Sequence, residues 1–260
     1  MRFATMLMLA AALSQAASAQ SARSEVPVVA AASNLKFAME EIAAQFRKTT
    51  KHGVKFSFGA SGNFYRQILQ GAPFEIFMSA DEGFVLKLAA AGKTEDRGHL
   101  YASGRIVVFV PLASKVAIDP KLAGLKSALS TGSVRRFAIA SPEHAPYGRA
   151  AKETLQRLGL WEAIEPRLVI GENVSQAAQF ASGGSADGGI IPYSLALSPQ
   201  IASRGRYVLI PADMHQPILQ RMVLLKGSGE RARAFYSYLQ EPAARAVFSR
   251  YGFGAPDARQ

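Results

Sequence analysis

Cysteine is absent from the 260-residue sequence, which excludes disulfides, thiolate nucleophiles and cysteine-ligated metal sites. The 4 histidines are scattered and show no His-x-x-x-His spacing, so we expect no metal site built from side chains. The sequence also lacks a G-x-S-x-G elbow, a P-loop and a glycine motif for dinucleotides. We therefore predict neither catalytic machinery nor a resident cofactor.

Long apolar runs are also missing beyond the amino terminus. Residues 1–19 combine Arg2, an apolar stretch over 3–13 and the cleavage pattern Ala17-Ser18-Ala19, as a secretory signal peptide does. The alternative is an N-terminal membrane anchor, but a spanning helix needs about 20 apolar residues. We predict that the chain is exported to a bacterial periplasm and cleaved near Gln20.

The formal net charge of +11 could indicate a nucleic-acid or lipid partner. The basic residues, however, are spread along the chain, and no basic stripe with interleaved aromatic residues appears. We predict no nucleic-acid partner and a field that mildly favours anions.

Strand and helix patterns alternate along the rest of the chain. Leu35, Met39, Ile42 and Phe46 form an amphipathic helix stripe, for example, and residues 105–110 form a strongly apolar strand. Such alternation predicts an α/β fold with mainly parallel sheets, in which ligands bind beyond the carboxyl ends of the strands.

Two segments in the first half end in a small-residue turn that carries a serine and then open a helix. They contain Ser33 and Ser61, and neither turn holds a lysine or arginine. A helix start offers unpaired N–H groups and a positive dipole end, and a serine hydroxyl adds a donor. We predict a small oxyanion held by neutral donors, although both serines could also be ordinary N-caps.

Further along, residues 79–82 have the pattern of a capping box that begins at Ser79. Residues 141–148 are interpreted as a polar turn, followed by a helix from Arg149.

Several stretches, in this order and spacing, resemble the periplasmic molybdate-binding proteins of ABC importers. The resemblance covers essentially the whole mature chain. The stretches are 30–35, 58–62 with 66–68, 71–81, 142–148 with 151–153, and the carboxyl-terminal segments 234–239 and 248–253.

The resemblance implies a two-lobed periplasmic binding protein fold. Each lobe has a mixed, mainly parallel sheet flanked by helices, and the ligand cleft lies between the lobes. The expected division assigns 26–106 plus 220–260 to lobe 1 and 107–219 to lobe 2.

The resemblance also implies a ligand set for one tetrahedral dianion. Ser33 and Ser61 match serines that donate through hydroxyl and backbone N–H, whereas Tyr147 and Val174 match backbone donors. Because the implied role of Tyr147 is a backbone one, we expect its side chain to be exchangeable. Tyr193 matches a tyrosine hydroxyl ligand, but it is displaced by one residue, and Pro192 stands at the matching position.

The implied function is capture of molybdate, or tungstate, and its delivery to the membrane permease of an ABC importer by a monomeric protein. Molybdenum would enter only as the bound oxyanion, through the same residues. No Asp or Glu lies in the Ser33 or Ser61 turns, which argues against a protonated phosphate. Alternatives are another oxyanion such as sulfate or thiosulfate, a small organic acid, or a periplasmic enzyme that uses Tyr193 or Glu172 as acid or base.

Overall fold

The computed structural model describes residues 26–256, so the predicted signal peptide and its cleavage site lie outside the described residues. The described chain forms two five-stranded sheets with helices packed against them. The strands are β1 Val28–Ala32, β2 Lys55–Gly59, β3 Ile76–Ser79, β4 His99–Gly104, β5 Ile106–Pro111, β6 Phe137–Ala140, β7 Leu168–Gly171, β8 Gly188–Pro192, β9 Gly205–Leu209 and β10 Ile218–Leu224.

The helices follow most of the parallel strands, and three short 3₁₀ turns occur at Ser33–Leu35, Glu165–Arg167 and Ala212–Met214. The helices are α1 Lys36–Thr50, α2 Ser61–Leu69, α3 Glu82–Ala90, α4 Ala123–Ser130, α5 Pro146–Arg157, α6 Trp161–Ile164, α7 Val174–Ser182, α8 Tyr193–Ala196, α9 Pro199–Ala202, α10 Glu230–Tyr238 and α11 Pro242–Arg250.

The two sheets have the same topology. The first has the order β2-β1-β3-β10-β4, in which β1 is parallel to β2 and β3, and β10 is antiparallel to β3 and β4. The second has the order β7-β6-β8-β5-β9, with β5 as the antiparallel strand. This two-lobed α/β arrangement with mixed, mainly parallel sheets confirms the predicted fold class.

The chain passes between the sheets twice. It leaves β4 at Gly104 and enters β5 at Ile106, and it returns between Leu209 of β9 and Ile218 of β10. We propose these two crossings as the hinge and as the boundaries of the lobes. Each crossing is short, which allows the lobes to move as rigid bodies about it.

The apolar patterns explain the core. The predicted helix stripe Leu35, Met39, Ile42 and Phe46 is completely or almost completely buried. The helix, however, is regular only from Lys36, because the first three residues form a tighter 3₁₀ turn.

Three local differences from the sequence pattern matter for the site. Strand β4 was not predicted, because only two of its residues, Tyr101 and Ala102, are buried and its apolar pattern is weak. Helix α5 begins at Pro146 and not at Arg149, since proline is well suited to the first helical position. At α3 the N-cap is Asp81, whose Oδ1 accepts the Gly83 N–H at 2.7 Å, so the capping box at Ser79 is wrong.

Within residues 26–256, no helix has the length and the apolar character that crossing a bilayer requires.

The aromatic core of the first lobe gives a stability prediction. Phe235 is completely buried, and its ring lies 5.0 Å from that of Phe46 and 6.1 Å from that of Phe56. Phe235→Ala should lower the free energy of unfolding by about 3–5 kcal/mol because it leaves a cavity. Urea denaturation measures the loss. As a control, Leu112→Ala, at a side chain that is 62% exposed, should change it by less than about 0.5 kcal/mol.

Candidate ligand-binding site

Four of the five predicted ligand residues meet at one cavity between the lobes. Ser33 follows β1, Ser61 begins α2, Tyr147 lies in the first turn of α5, and Val174 begins α7. Each position follows a parallel strand, two from each sheet. The empty space that they enclose is about 170 Å³, including the part that opens to solvent. The part of this space that a water-sized sphere can occupy is about 10 Å³, far below the roughly 300–1,000 Å³ of pockets for drug-sized ligands, so the site suits only a very small ligand.

The backbone N–H groups of these four residues need an acceptor. The first residues of a helix have no intrahelical partner for their N–H groups. Among residues 26–256, no hydrogen bond to another part of the protein involves these four N–H groups. Each also carries the positive end of a helix dipole, so the four N–H groups favour an anion.

The structure excludes the reading of Ser33 and Ser61 as N-caps. The N-cap residues are Ala32 and Ala60, and neither helix start has a capping side-chain hydrogen bond. The Ser61 hydroxyl oxygen accepts the N–H of Ala80 at 3.0 Å, which leaves its own hydrogen free to donate.

Ser33 makes a different contact. Its hydroxyl donates to Oδ1 of Asn173 in the other lobe at 3.2 Å. That oxygen also accepts the N–H groups of Ser175 and Gln176, as a helix cap. A hydroxyl can rotate about its C–O bond, so Ser33 can redirect its hydrogen to an anion. Oδ1 of Asn173 would then keep its two hydrogen bonds from Ser175 and Gln176.

The second lobe presents its donors through local helix chemistry. Pro146 occupies the first position of α5 and has no N–H, so Tyr147 carries the first available donor. At α7 the Asn173 cap accepts from Ser175 and Gln176 but leaves the N–H of Val174 uncovered.

No charged side chain belongs to the lining of this cavity, as far as residues 26–256 are concerned. The lining residues that sequence reasoning did not propose as ligands include Asn34 and Ala80. Asn34 shares the first turn with Ser33, and Ala80 follows β3 just as Ser33 follows β1. The same strand-end rule that found the serines would have found both.

The structure does not bring Tyr193 to the cavity. Strand β8 continues through Pro192, which pairs with Ile106, and the turn follows one residue later. The Tyr193 ring lies 5.7 Å from that of Tyr207 and faces the Arg105 guanidinium at 5.5 Å. The expectation of a Tyr193 hydroxyl ligand is therefore corrected to a packing role.

Direct contacts close the cleft around the cavity. The N–H of Gly62 donates to the carbonyl oxygen of His144 in the other lobe at 3.0 Å. A Cβ on Gly62 would lie 3.0 Å from that same oxygen, so a glycine permits the close approach. Arg149 forms an ion pair with Asp81 across the cleft at 2.7 Å.

The polar contacts at the edge of the cleft include Arg66. Its guanidinium donates to Oδ1 of Asn63 at 2.6 Å and lies 3.4 Å from Nδ1 of His144. Asn63 in turn donates to Glu172 of the other lobe at 3.3 Å. Both Arg66 and Glu172 thus belong to the contacts between the lobes and lie outside the cavity lining.

The side chain of Tyr147 has specific partners, which the expectation of an exchangeable side chain did not foresee. Its hydroxyl accepts from Nδ2 of Asn34 at 3.1 Å and from Nε2 of Gln220 at 2.9 Å, both in the other lobe. Burial raises the pKa of the Tyr147 phenol well above its usual value, although these two hydrogen bonds lower it in part. The phenol is therefore neutral at physiological pH.

Within the described part of the chain, no group of three or more His, Asp or Glu side chains could hold a metal ion. The site can bind an anion through hydrogen bonds, and it holds no pair of side chains suited to general acid and base work.

Comparisons with known proteins identify the family of the chain. The family described as "Bacterial extracellular solute-binding protein" matches residues 27–254. The molybdate-binding protein ModA of Rhodobacter capsulatus is 39% identical over 229 residues, which are 87% of each chain. ModA of Escherichia coli (strain K12) is 36% identical over 233 residues, covering 86% of this chain and 87% of that protein.

A solved structure is also similar. The periplasmic molybdate-binding protein of Azotobacter vinelandii superposes with a TM-score of 0.80 and 31% identity, over 89% of this chain and 100% of that chain. The chain therefore belongs to the family of bacterial extracellular solute-binding proteins, in which its relatives include the ModA proteins.

Proposed function

We propose that this protein captures molybdate, and tungstate by the same geometry, in the cleft between its lobes. The observation that carries the proposal is the set of four unpaired backbone N–H groups, two from each lobe, at one small cavity without a charged side chain in its lining. Molybdate is the ligand of a binding protein here and not a cofactor of an enzyme. The relatives named above support this reading, since their names describe molybdate binding.

The donor set suits an anion that carries no proton. Molybdate, tungstate and sulfate are dianions at neutral pH and offer only acceptors. A protonated phosphate would need an acceptor, and the described lining contains no carboxylate. Charge-assisted hydrogen bonds contribute about 1.5–3 kcal/mol each. Roughly half a dozen of them in a closed cleft give submicromolar binding after ordering costs of several kcal/mol.

The transport role follows from the family. We propose that residues 1–19 direct export and are removed near Gln20, and that the loaded monomer delivers its anion to the permease of an ABC importer. Closure of the lobes about the two crossings would complete the donor set from both sides.

The primary test is calorimetric titration of the mature, ligand-stripped protein with molybdate, tungstate, sulfate and phosphate. Molybdate and tungstate should bind with submicromolar Kd. Sulfate should bind at least about 100-fold more weakly, because its S–O bonds are shorter than the metal–oxygen bonds of the other two anions and its oxygens reach the donors less well. Tightest binding of sulfate or phosphate would reject molybdate as the ligand. No heat with any of the four anions would reject the oxyanion site altogether.

The double variant Ser33→Ala with Ser61→Ala tests the donor set. Loss of two hydroxyl donors should raise the molybdate Kd at least about 100-fold, as measured by the same titration. Without ligand, Tm should change by less than about 3 °C, since water reaches the Ala80 N–H in an open cleft. A large loss of Tm would instead make the serines structural. Ser130→Ala, at an exposed hydroxyl of α4, is the matched control and should change neither value.

Tyr193→Phe tests whether the hydroxyl of Tyr193 takes part in ligand binding. Because the Tyr193 ring packs outside the cavity, the variant should bind molybdate with a Kd within about 2-fold of the unmodified protein. A loss of about 10-fold or more, with Tm unchanged, would restore the hydroxyl of Tyr193 to the ligand set.

A further inference from the structure

Four polar side chains form a buried cluster where the lobes meet, here called the Tyr147 cluster. They are Asn34, Tyr101, Tyr147 and Gln220, and none is more than 8% exposed. Burying polar groups is costly unless they are hydrogen-bonded to one another, so the contacts within the cluster decide whether it favours the closed form.

Three of the four side chains of the Tyr147 cluster belong to the first lobe, and only Tyr147 belongs to the second. Asn34 follows β1, and Tyr101 and Gln220 lie in β4 and β10, so all three belong to the first lobe. Oε1 of Gln220 accepts from Nδ2 of Asn34 and from the Tyr101 hydroxyl, each at 3.1 Å. These three side chains can contact one another in either an open or a closed protein. The Tyr147 hydroxyl, which accepts from Asn34 and Gln220, comes from the second lobe and can reach them only on closure.

A glycine provides the space for this hydroxyl. A Cβ built on Gly104 would lie 2.4 Å from the Tyr147 hydroxyl oxygen and 2.9 Å from Cγ2 of Ile218. Gly104 does not have the positive φ that favours glycine, so its backbone conformation is open to other residues. What the position requires is the absence of a side chain.

Tyr147 therefore takes part both in ligand binding and in the contact between the lobes. Its backbone N–H lines the ligand cavity, and its hydroxyl enters the first lobe beside Gly104. We propose that the Tyr147 side chain is a positioning residue that stabilises the closed form, so that the hydrogen bonds of the Tyr147 cluster contribute to ligand affinity without touching the ligand. The link to affinity rests on the proposed function, whereas the link to closure does not.

The closed fraction can be measured without any ligand, because the chain has no cysteine. Asn63 and Glu172 contact each other across the cleft at 3.3 Å, so Asn63→Cys with Glu172→Cys places two thiols where closure brings them together. The rate at which a short bismaleimide joins them reports the population of the closed form.

In this background, Tyr147→Phe should slow cross-linking roughly 10- to 100-fold, since it removes the hydroxyl but keeps the ring. Titration of the corresponding cysteine-free variants should show the molybdate Kd rising by a similar factor, because apparent affinity scales with the competent fraction. The molybdate to tungstate ratio and the unliganded Tm should stay unchanged. Tyr238→Phe, at a buried tyrosine of the first-lobe core, is the control and should alter neither rate nor Kd.

A second variant tests the space beside Gly104. Gly104→Ala should slow cross-linking at least as much as Tyr147→Phe does. In a Tyr147→Ala background no side chain of the second lobe enters that space, and only the contact with Ile218 of the same lobe remains. There the same change should add less than about 3-fold. Such non-additivity distinguishes a closed-form clash from a general effect on folding.

The outcomes separate the two proposals. Unchanged cross-linking in Tyr147→Phe overturns the role of Tyr147 in closure, whatever the ligand is. Slower cross-linking that is accompanied by a large loss of Tm without ligand would also overturn the role of Tyr147 in closure, because the hydroxyl would then support the fold itself. Slower cross-linking together with no molybdate binding by the unmodified protein would support closure by Tyr147 and reject the proposed function.

Discussion

The backbone N–H groups at four helix starts constrain the rest of this structure. An unpaired N–H costs free energy when it is buried, so an acceptor between the lobes stabilises a closed cleft around Ser33, Ser61, Tyr147 and Val174. The surrounding chemistry keeps those groups unpaired. Pro146 has no N–H, so the first N–H of its helix is that of Tyr147, and Asn173 caps its helix without covering the N–H of Val174. The protein thereby favours the closed form when an anion supplies the acceptors.

The repeated topology explains why the donors converge. Strands β1 and β2 in one sheet correspond in position to β6 and β7 in the other, and each of them leads to one donor. The third pair breaks this correspondence. Ala80 follows β3 and lines the cavity, whereas Tyr193 follows β8 and packs against Tyr207 instead. The two lobes thus contribute to the site from corresponding strand ends, except that the residue after β8 does not line the cavity.

Local patterns were enough for the parts of the site that depend on local structure. A strand, a small-residue turn and a helix placed Ser33 and Ser61 at the carboxyl ends of neighbouring strands, and an apolar stripe placed Phe46 in the core. Where the chain departed from the pattern, a single residue was responsible. Strand β8 runs through Pro192, so Tyr193 begins the next helix outside the cavity, and Pro146 starts its helix earlier than the polar turn indicated.

The contacts of the Tyr147 side chain could not be predicted in this way. Asn34 and Gln220 are separated from Tyr147 by 113 and 73 positions in the sequence, and nothing in the local sequence pairs them. Their hydrogen bonds depend on how two separately folded lobes meet. A sequence pattern with a period of two or 3.6 residues carries no information about that.

The contact between Gly62 and His144 brings main chain directly against main chain, and a hydrogen bond of 3.0 Å joins the two lobes at this point. The gap available to a guest is therefore determined by how closely the two main chains approach each other, and the backbone N–H donors around it cannot be removed by changing a side chain. Discrimination between anions of different radius then depends on the residues that separate the two main chains at the edge of the cleft, such as Gly62, rather than on the residues that hold the anion. A slightly larger residue in place of Gly62 would hold the two main chains farther apart, and the wider ligand cavity would favour the larger anion.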